Sequence, residues 1–185
     1  MYTIGHGNRT IDEFIKLLKK FKIKYIIDVR TTPYSKYSPQ FNQEVLRNSL
    51  EHSGITYVFM GDSIGGRPAD NSCYDTDGRV DYQAIEQKDF YKQGIERLET
   101  AFNKSIPLAL MCSESKPTEC HRSKLIGRTL SRDNIWLNHI DENGKLKSQQ
   151  MVMNELMKGK NEMDLFGNAM PLNSRKSYQT DDEKP

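Results

Sequence analysis

The sequence predicts an α/β fold: a single three-layer domain whose mainly parallel sheet is covered by helices on both faces. Short apolar segments typical of buried strands, such as YIIDV at 25–29, alternate with longer segments whose apolar residues recur at helical spacing. Strands that are separated by helices in this way form βαβ units, which build parallel sheets. The length of 185 residues fits one domain of ordinary size followed by a tail.

The individual elements follow from the same patterns. Residues 2–5 form a short apolar strand, and Thr10 supplies the N-cap hydroxyl of a helix that has acidic residues in its first turn. Further strands are predicted at 25–29, 55–60, 107–112 and 135–140. Further helices are predicted at 42–53, at 88–103, from the loop after residue 112 to residue 132, and at 147–158. Residues 61–82 contain four glycines and form a long excursion, and long loops in compact domains are often functional.

The composition divides the chain into three parts. Residues 1–145 are predicted to form the α/β domain, and residues 146–160 a C-terminal helix. Residues 161–185 are predicted to form a flexible tail, because the sequence becomes polar and irregular after Gly159.

Charge and hydropathy argue against several classes of protein. A net charge of +2 is not that of a strongly basic nucleic-acid binder. The longest apolar runs are about five residues, far below the ~20 needed to cross a bilayer, so no membrane partner is expected. No charged segment followed by an apolar one opens the chain, and three cysteines do not make a disulfide framework. We therefore expect a cytoplasmic protein.

Polar and reactive residues follow three of the predicted strands. They are the segment GHGNR at 5–9, the segment DVR at 28–30, and Cys112, which begins a strand-to-helix loop. In open parallel sheets, ligands bind where strands end at their carboxyl edge, so these three segments are expected to converge on one site.

Several motifs in the chain resemble a known family. These motifs are TIGHGNR at 3–9, DVR at 28–30, PQFN at 39–42, GGRP at 65–68 and CSESKPTECHRS at 112–123. They are similar to those of the bacterial and archaeal family known as domain of unknown function 488, over residues 1 to about 145. The resemblance implies a fold and a site more than a reaction. Two positions depart from the usual pattern, since Gly7 stands where a serine is usual and Ile64 where a leucine is usual.

Four residues are the catalytic candidates: Cys112, His121, His6 and Asp28. A thiol at a helix N-terminus is favoured as a thiolate, and a histidine can act as an acid or base near neutral pH. The alternatives remain open, because free cysteines are often buried and Asp28 can brace the loop ends in an ion pair. The second cysteine of the loop, Cys120, is a candidate resolving thiol, metal ligand or packing residue.

Substrate binding is assigned mainly to cationic and polar side chains of the same loops. Arginine offers a planar fork for phosphate or carboxylate, and aromatic side chains among basic residues suit nucleotide bases. The candidates are Arg9, Arg30, Arg122, Ser123, Tyr34, Asn42 and Arg67. Cys112, Cys120, His121 and His6 have ligand types suited to zinc, but no tight C-x2-C or H-x3-H spacing accompanies them, so neither a metal nor a cofactor is predicted.

The tail contains a short peptide of separate interest. Residues 162–166, EMDLF, resemble the peptide by which bacterial replication and repair proteins bind the sliding clamp, with Glu162 in place of the usual glutamine. Leu165 and Phe166 would be the partner-binding residues, since an apolar pair on a polar tail is suited to a partner's pocket. The alternative is that the pair folds back onto the domain.

Three functions are compatible with these residues. The first is an enzyme that hydrolyses or transfers a group on nucleic acid or a nucleotide-like anion, with processing of a modified or damaged base as its most concrete form. The second is a rhodanese-like thiol-dependent transferase that uses Cys112. The third is a non-catalytic module that binds nucleotides or nucleic acid, which uses the same residue types.

Overall fold

The computed structural model describes residues 1–158 and 172–178. The strands within these residues are β1 (Tyr2–Gly5), β2 (Tyr25–Asp28), β3 (Thr56–Phe59), β4 (Arg79–Asp81), β5 (Leu108–Cys112), β6 (Asn138–Ile140), β7 (Leu146–Ser148) and β8 (Asn173–Ser177). The α-helices are α1 (Ile11–Lys20), α2 (Gln43–Glu51), α3 (Tyr82–Glu86), α4 (Asp89–Asn103), α5 (Arg128–Arg132) and α6 (Gln149–Met157). A π-helix, Arg122–Gly127, precedes α5, and short 3-10 turns occur at 39–41, 71–73 and 117–119.

Six strands form the main sheet in the order β3-β2-β5-β1-β6-β7. All neighbours are parallel except β6 and β7, which form an antiparallel pair at one edge. The predicted α/β domain with a mainly parallel sheet is therefore confirmed. Because β5 comes late in the chain but lies between β2 and β1, its carboxyl end is flanked by the ends of both.

The side chains of β5 show why the sheet is covered on both faces. Leu108, Leu110 and Cys112 face one hydrophobic core, whereas Ala109 and Met111 face the other. This alternation is the period of two expected of a strand, and all five side chains are buried. Full burial of a leucine such as Leu110 contributes about 2 kcal/mol, so the central strand is held firmly between the layers.

Helix α1 begins where the sequence places it. The Thr10 hydroxyl accepts a hydrogen bond from the Glu13 N–H, and the Glu13 carboxylate accepts one from the Thr10 N–H. This reciprocal capping box satisfies two N–H groups that the first turn would otherwise leave unpaired. Phe14 and Leu18 form the buried face of the helix.

Two short strands differ from the sequence-based expectation. Residues 146–148, predicted as the start of the C-terminal helix, pair with β6 as β7, and the helix begins at Gln149. Residues 173–177, predicted as part of the flexible tail, pair with β4 in a separate two-stranded sheet. Side-chain hydrogen bonds hold this second pair: Asn173 Nδ2 donates to Asp75 at 2.6 Å, and the Ser174 hydroxyl accepts the Val80 N–H at 2.9 Å.

The clamp-like peptide at 162–166, with Leu165 and Phe166, lies outside the described residues. Across residues 1–158 and 172–178, no helix has both the length and the apolar character that crossing a bilayer requires.

Candidate active site

The sheet topology brings the three predicted segments together around the end of β5. Cys112 is the last residue of β5 and pairs in register with Gly5, the last residue of β1. On the other side, Asp28 at the end of β2 pairs with Met111. The backbone ladder continues past the strands, since the His6 N–H donates to the Cys112 carbonyl at 3.0 Å. The loop after Cys112 is therefore attached to the loop after β1.

Glycine is required where these two loops meet. A Cβ atom on Gly5 would lie 1.8 Å from the carbonyl oxygen of Glu114, which no side chain can tolerate. Gly7 has a φ of +53°, in the left-handed region that favours glycine, and its Cβ would lie 2.8 Å from the Ser115 side chain. The close approach of the two backbones brings residues 113–115 directly over the end of β1.

A cysteine–histidine pair forms the centre of the site. The Sγ atom of Cys112 lies 3.7 Å from Nδ1 of His121. The other ring nitrogen, Nε2, lies 3.1 Å from the carbonyl oxygen of Val29, which can only accept a hydrogen bond. Nε2 therefore carries a proton, and in the neutral ring Nδ1 is the basic nitrogen that faces the thiol. This is the arrangement in which an imidazole activates a cysteine.

The position of His121 is fixed by close packing as well as by its hydrogen bond. A Cβ atom on Gly66 would lie 2.8 Å from the imidazole ring, so the glycine-rich segment 65–68 leaves just enough room for it. The ring is thus held between that segment and the end of β2.

Cys120 and Glu114 complete the immediate surroundings of the Cys112 thiol. The Sγ atom of Cys120 lies 3.7 Å from Nδ1 of His121, and the thiol of Cys112 lies 2.9 Å from a carboxylate oxygen of Glu114. Cys112, Cys120 and the His121 ring are all buried. Two thiols, one imidazole and one carboxyl group therefore share a site with little water.

These groups shift one another's ionisation. The hydrogen bond from Cys120, assisted by the charge of His121, lowers the pKa of the Cys112 thiol well below its usual value, against the opposing effect of burial. Burial and the charge of Cys112 raise the pKa of Cys120 and that of Glu114. Burial disfavours protonation of His121, but the negative charge of Cys112 outweighs this and raises the pKa of the imidazole. These shifts favour the thiolate form of Cys112 and the imidazolium form of His121, and they favour the protonated forms of Cys120 and Glu114.

Arg122 lies beneath the loop instead of beside the thiol. Its side chain is fully buried, and Nη2 donates to the backbone carbonyls of Glu114 and Ser115 at 2.9 and 3.0 Å. Adjacent residues at a helix start point in different directions, and here His121 faces the thiols while Arg122 supports the loop backbone. No residue within the described parts of the chain forms a salt bridge with Arg122, so its buried charge also favours nearby anionic groups.

Asp28 is engaged in a buried ion pair. Its carboxylate accepts two hydrogen bonds from the Arg30 guanidinium, at 2.9 and 2.6 Å, and one from the Tyr57 hydroxyl at 2.8 Å. Arg30 also donates to the carbonyl of Phe41, at 2.8 Å. The structure therefore places Asp28 as a brace for Arg30, the alternative considered from the sequence, and Arg30 reaches the cavity described below.

His6 is stacked on an aromatic ring and does not line the cavity that contains Cys112. Its imidazole lies parallel to the ring of Phe41, with 4.3 Å between ring centroids. Burial lowers the pKa of His6 to about 4, so the ring is neutral at neutral pH. A neutral, stacked imidazole serves packing at this position, although its buried Nε2 has no hydrogen-bond partner within the described residues.

Four other predicted substrate-binding residues are not among those that line the cavity described below. Arg9 donates to the carbonyls of Gly5 and Asp141, and Ser123 donates to those of Pro117 and Cys120. Asn42 accepts the Ser35 N–H at 2.7 Å, and Tyr34 is 70% exposed. The assignment of these four residues to substrate binding stays a prediction, and in the structure three of them hold backbone segments in place.

Cys112 and His121 open into a cavity of about 260 Å³. Among the predicted residues, Arg30 and Arg67 line it together with this pair. Two further cations, Arg175 and Lys176, come from the region of β8. Arg30 is paired with Asp28 and Arg175 with Glu119. Arg67 and Lys176 have no carboxylate in salt-bridge contact within the described residues, so they favour an anion in the cavity, which Glu114 also lines.

A family model described as Domain of unknown function DUF488 matches residues 10–128. The chain belongs to this family. No curated protein and no solved structure matches the chain. The matched residues include the loop from Cys112 to Ser123, but not the motif at 3–9 and not β6 to β8.

Within this DUF488 chain, the site has parts that the sequence analysis did not single out. Glu114 could have been found, because an acidic residue two positions after the first cysteine belongs to the motif on which the family resemblance depends. Tyr82, Arg175 and Tyr178 also line the cavity, but no local pattern marks them. They reach it through the pairing of β4 with β8, which sequence periodicity does not reveal.

The DUF488 site also has the geometry to hold a thiophilic metal ion. The Sγ atoms of Cys112 and Cys120 and a ring nitrogen of His121 all lie within 4.8 Å of one another. Zinc bonds of about 2.1–2.3 Å place neighbouring ligands about 3.5–3.8 Å apart, which fits the two sulfur–nitrogen distances of 3.7 Å. The hydrogen bond from Nε2 to Val29 is the outer contact that a metal-bound histidine usually makes. His6 does not belong to this group.

Proposed function

We propose that the protein is a thiol-dependent enzyme that transfers or hydrolyses a group on an anionic, nucleotide-like substrate, with Cys112 as the nucleophile. The observation that carries this proposal is the Cys112–His121 pair at the base of a cationic cavity. The reactive form of cysteine is the thiolate, and an adjacent imidazole commonly generates it by accepting the thiol proton.

The residues around the thiol supply a consistent chemical step. The Cys112 sulfur forms a bond to the electrophilic centre while the bond to the leaving group breaks. His121, whose Nδ1 faces the sulfur, donates the proton that the leaving group takes up, and Glu114 is a second candidate donor because burial and the charge of Cys112 raise its pKa. Water or a second acceptor, losing a proton to the same base, then removes the transferred group and restores the Cys112 thiolate.

The cationic cavity supports an anionic substrate. Arg30 is held by its buried pair with Asp28, so its guanidinium is fixed in position. Fixed cations around a partly enclosed cavity attract and orient phosphate or carboxylate groups. Among such substrates we favour nucleotides and modified or damaged bases, and we place the enzyme in the cytoplasm.

Selective alkylation tests the role of Cys112. Iodoacetate and iodoacetamide deliver the same carbon to a thiolate, but only iodoacetate is an anion. For each thiol we compare the rate with iodoacetate to the rate with iodoacetamide. We expect this rate ratio to be about tenfold or more higher at Cys112 than for free glutathione, because the cavity concentrates anions. Peptide mass spectrometry after short exposure measures labelling at each cysteine.

The matched controls are the buried thiols of Cys120 and Cys73, which should label far more slowly. Cys112→Ser should remove the rapid phase, whereas Cys73→Ser should leave it intact. Repeating the reaction with a chelator separates a free thiolate from a metal-bound one. Equal labelling of all three cysteines, or no preference for iodoacetate, would contradict the proposal.

The finer proposal of a DNA-side role, with DNA repair as the setting, depends on the peptide at 162–166. It is supported by the sequence alone. An apolar anchor pair typically dominates the affinity of a small interface. We expect the full chain to bind a purified bacterial sliding clamp and the double variant Leu165→Ala, Phe166→Ala to lose about 100-fold or more in affinity.

Surface plasmon resonance with immobilised clamp measures this. Asp164→Ala is the matched control, because it changes a side chain of the same peptide at the one position where the clamp-binding motif accepts any residue. If the unmodified chain fails to bind the clamp, or if Asp164→Ala weakens binding as much as the double variant, recruitment through this peptide is the wrong explanation.

A further inference from the structure

Residues 173–178 form one wall of the cavity that contains Cys112. Strand β8 pairs with β4, and the Tyr178 N–H donates to the Gly78 carbonyl at 2.8 Å. Ser174, Arg175, Lys176 and Tyr178 all line the cavity. This wall lies outside the segment that the family model matches.

Arg175 is the residue of this wall that is best placed to exchange partners. Its guanidinium lies 2.9 Å from the carboxylate of Glu119, and the two side chains are 52% and 38% exposed. Ion pairs with this much exposure contribute little to stability, so the contact is easily replaced. Both residues line the cavity, which means that an anion entering it meets Arg175 without crossing the protein interior.

Arg67 provides a second cation on the same side. Its guanidinium lies over the Tyr178 ring, 4.8 Å from the ring centroid. Within the described residues Arg67 has no carboxylate in salt-bridge contact. An arginine stacked on an aromatic ring and lacking an acidic partner is suited to a phosphate ligand.

We propose that β8 and Tyr178 form the recognition wall of the site, in which Arg175 and Arg67 bind a phosphate or diphosphate group of the substrate. Because this names the substrate class of the site assigned above, it builds on the proposed function. The Glu119 carboxylate forms an ion pair with Arg175, and an incoming phosphate group displaces this carboxylate. The bound group then lies beside the wall, and the rest of the substrate extends toward Cys112.

Binding of inorganic pyrophosphate to the full chain tests this proposal without any need for turnover. Isothermal titration calorimetry at constant ionic strength gives the Kd for the unmodified protein and for Arg175→Ala, Arg67→Ala and Glu119→Gln. We expect Arg175→Ala to weaken binding by about tenfold to a hundredfold, the range for loss of a charged hydrogen-bonding group. Glu119→Gln should tighten binding by about two- to fivefold, because it removes a competing carboxylate.

The opposite signs distinguish recognition from a merely structural ion pair, which both variants would break alike. Arg132→Ala is the matched control: Arg132 is 49% exposed and pairs with Glu86 at 2.8 Å, but it does not line the cavity. Its affinity for pyrophosphate should equal that of the unmodified protein. If circular dichroism shows that Arg175→Ala folds poorly, two other variants still test the proposal. Arg175→Lys should lose an intermediate amount of affinity for pyrophosphate, and Glu119→Gln should gain affinity.

No binding by the unmodified chain, or equal effects of Arg175→Ala and Arg132→Ala, would overturn the proposal. The titrations, repeated in Cys112→Ser, and the alkylation experiment together separate the phosphate-binding wall from the nucleophile. If binding depends on Arg175 but Cys112 is not selectively alkylated, the wall is correct and the nucleophile is wrong. Selective alkylation without Arg175-dependent binding would mean the reverse.

Discussion

Asp28→Asn is expected to lower the free energy of unfolding by about 3–5 kcal/mol, the range for breaking a buried ion pair from one side. Asp28 is fully buried and accepts hydrogen bonds from Arg30 and from the Tyr57 hydroxyl. An amide has no negative charge and only one acceptor oxygen. The substitution therefore leaves the buried Arg30 guanidinium without a compensating negative charge. The N–H groups of the new asparagine would also face hydrogen-bond donors.

Urea unfolding followed by circular dichroism measures this loss. Tyr57→Phe is the nearest control, because it removes one hydrogen bond from the same carboxylate and should cost only about 1.5–2 kcal/mol. Glu44→Gln breaks the exposed contact with Arg47 and should change stability by less than about 1 kcal/mol. If Asp28→Asn is no worse than Tyr57→Phe, Asp28 is not the main brace of Arg30.

Gly5→Ala is expected to destabilise the protein by more than about 3 kcal/mol and to abolish the selective reactivity of Cys112. The added methyl group would lie 1.8 Å from the Glu114 carbonyl oxygen, and backbone on both sides prevents a simple side-chain adjustment. Relief requires that residues 113–115 move away from β1. That movement displaces Glu114 from Cys112 and removes the carbonyls that Arg122 binds.

Gly54→Ala is the matched control for this change. Gly54 has a φ of +71° but no atom within 4 Å of an added Cβ, so its substitution costs only backbone strain, about 1 kcal/mol. Its iodoacetate labelling should match that of the unmodified protein. Thermal unfolding and peptide mass spectrometry supply the two measurements, and normal labelling of Cys112 in Gly5→Ala would show that the loop tolerates the methyl group.

The sheet could be predicted because each of its central strands has a local signal. The apolar run of β5 and the capping residues of α1 are each contiguous in the sequence. Such local signals predict the type of element without knowledge of the rest of the fold. Strand β8, with the sequence NSRKS, has no apolar alternation. Its conformation comes from pairing with β4 and from hydrogen bonds of Asn173 and Ser174 to residues about 95 positions earlier, which no local pattern contains.

The candidate site could be located from the sequence, but side-chain roles could not be fully assigned. Parallel topology brings His6, Asp28 and Cys112 to one edge of the sheet, as the strand ends predict. Whether each side chain then faces the cavity depends on packing around it. His6 stacks on Phe41 and Asp28 pairs with Arg30, and neither residue lines the cavity.

The strand order has a consequence for how the domain can be isolated. The residues matched by the family model, 10–128, contain β2, β3 and β5 but neither β1 nor β6. A polypeptide trimmed to that match would turn β5 from one of the two central strands into an unprotected edge and leave Ile4 and Ile140 missing from the core. The segment that the family model matches is therefore shorter than the sheet that encloses the site. Recombinant work on the site needs β1 and the segment after residue 128, since without them the end of β5 that carries Cys112 would have no neighbour on one side.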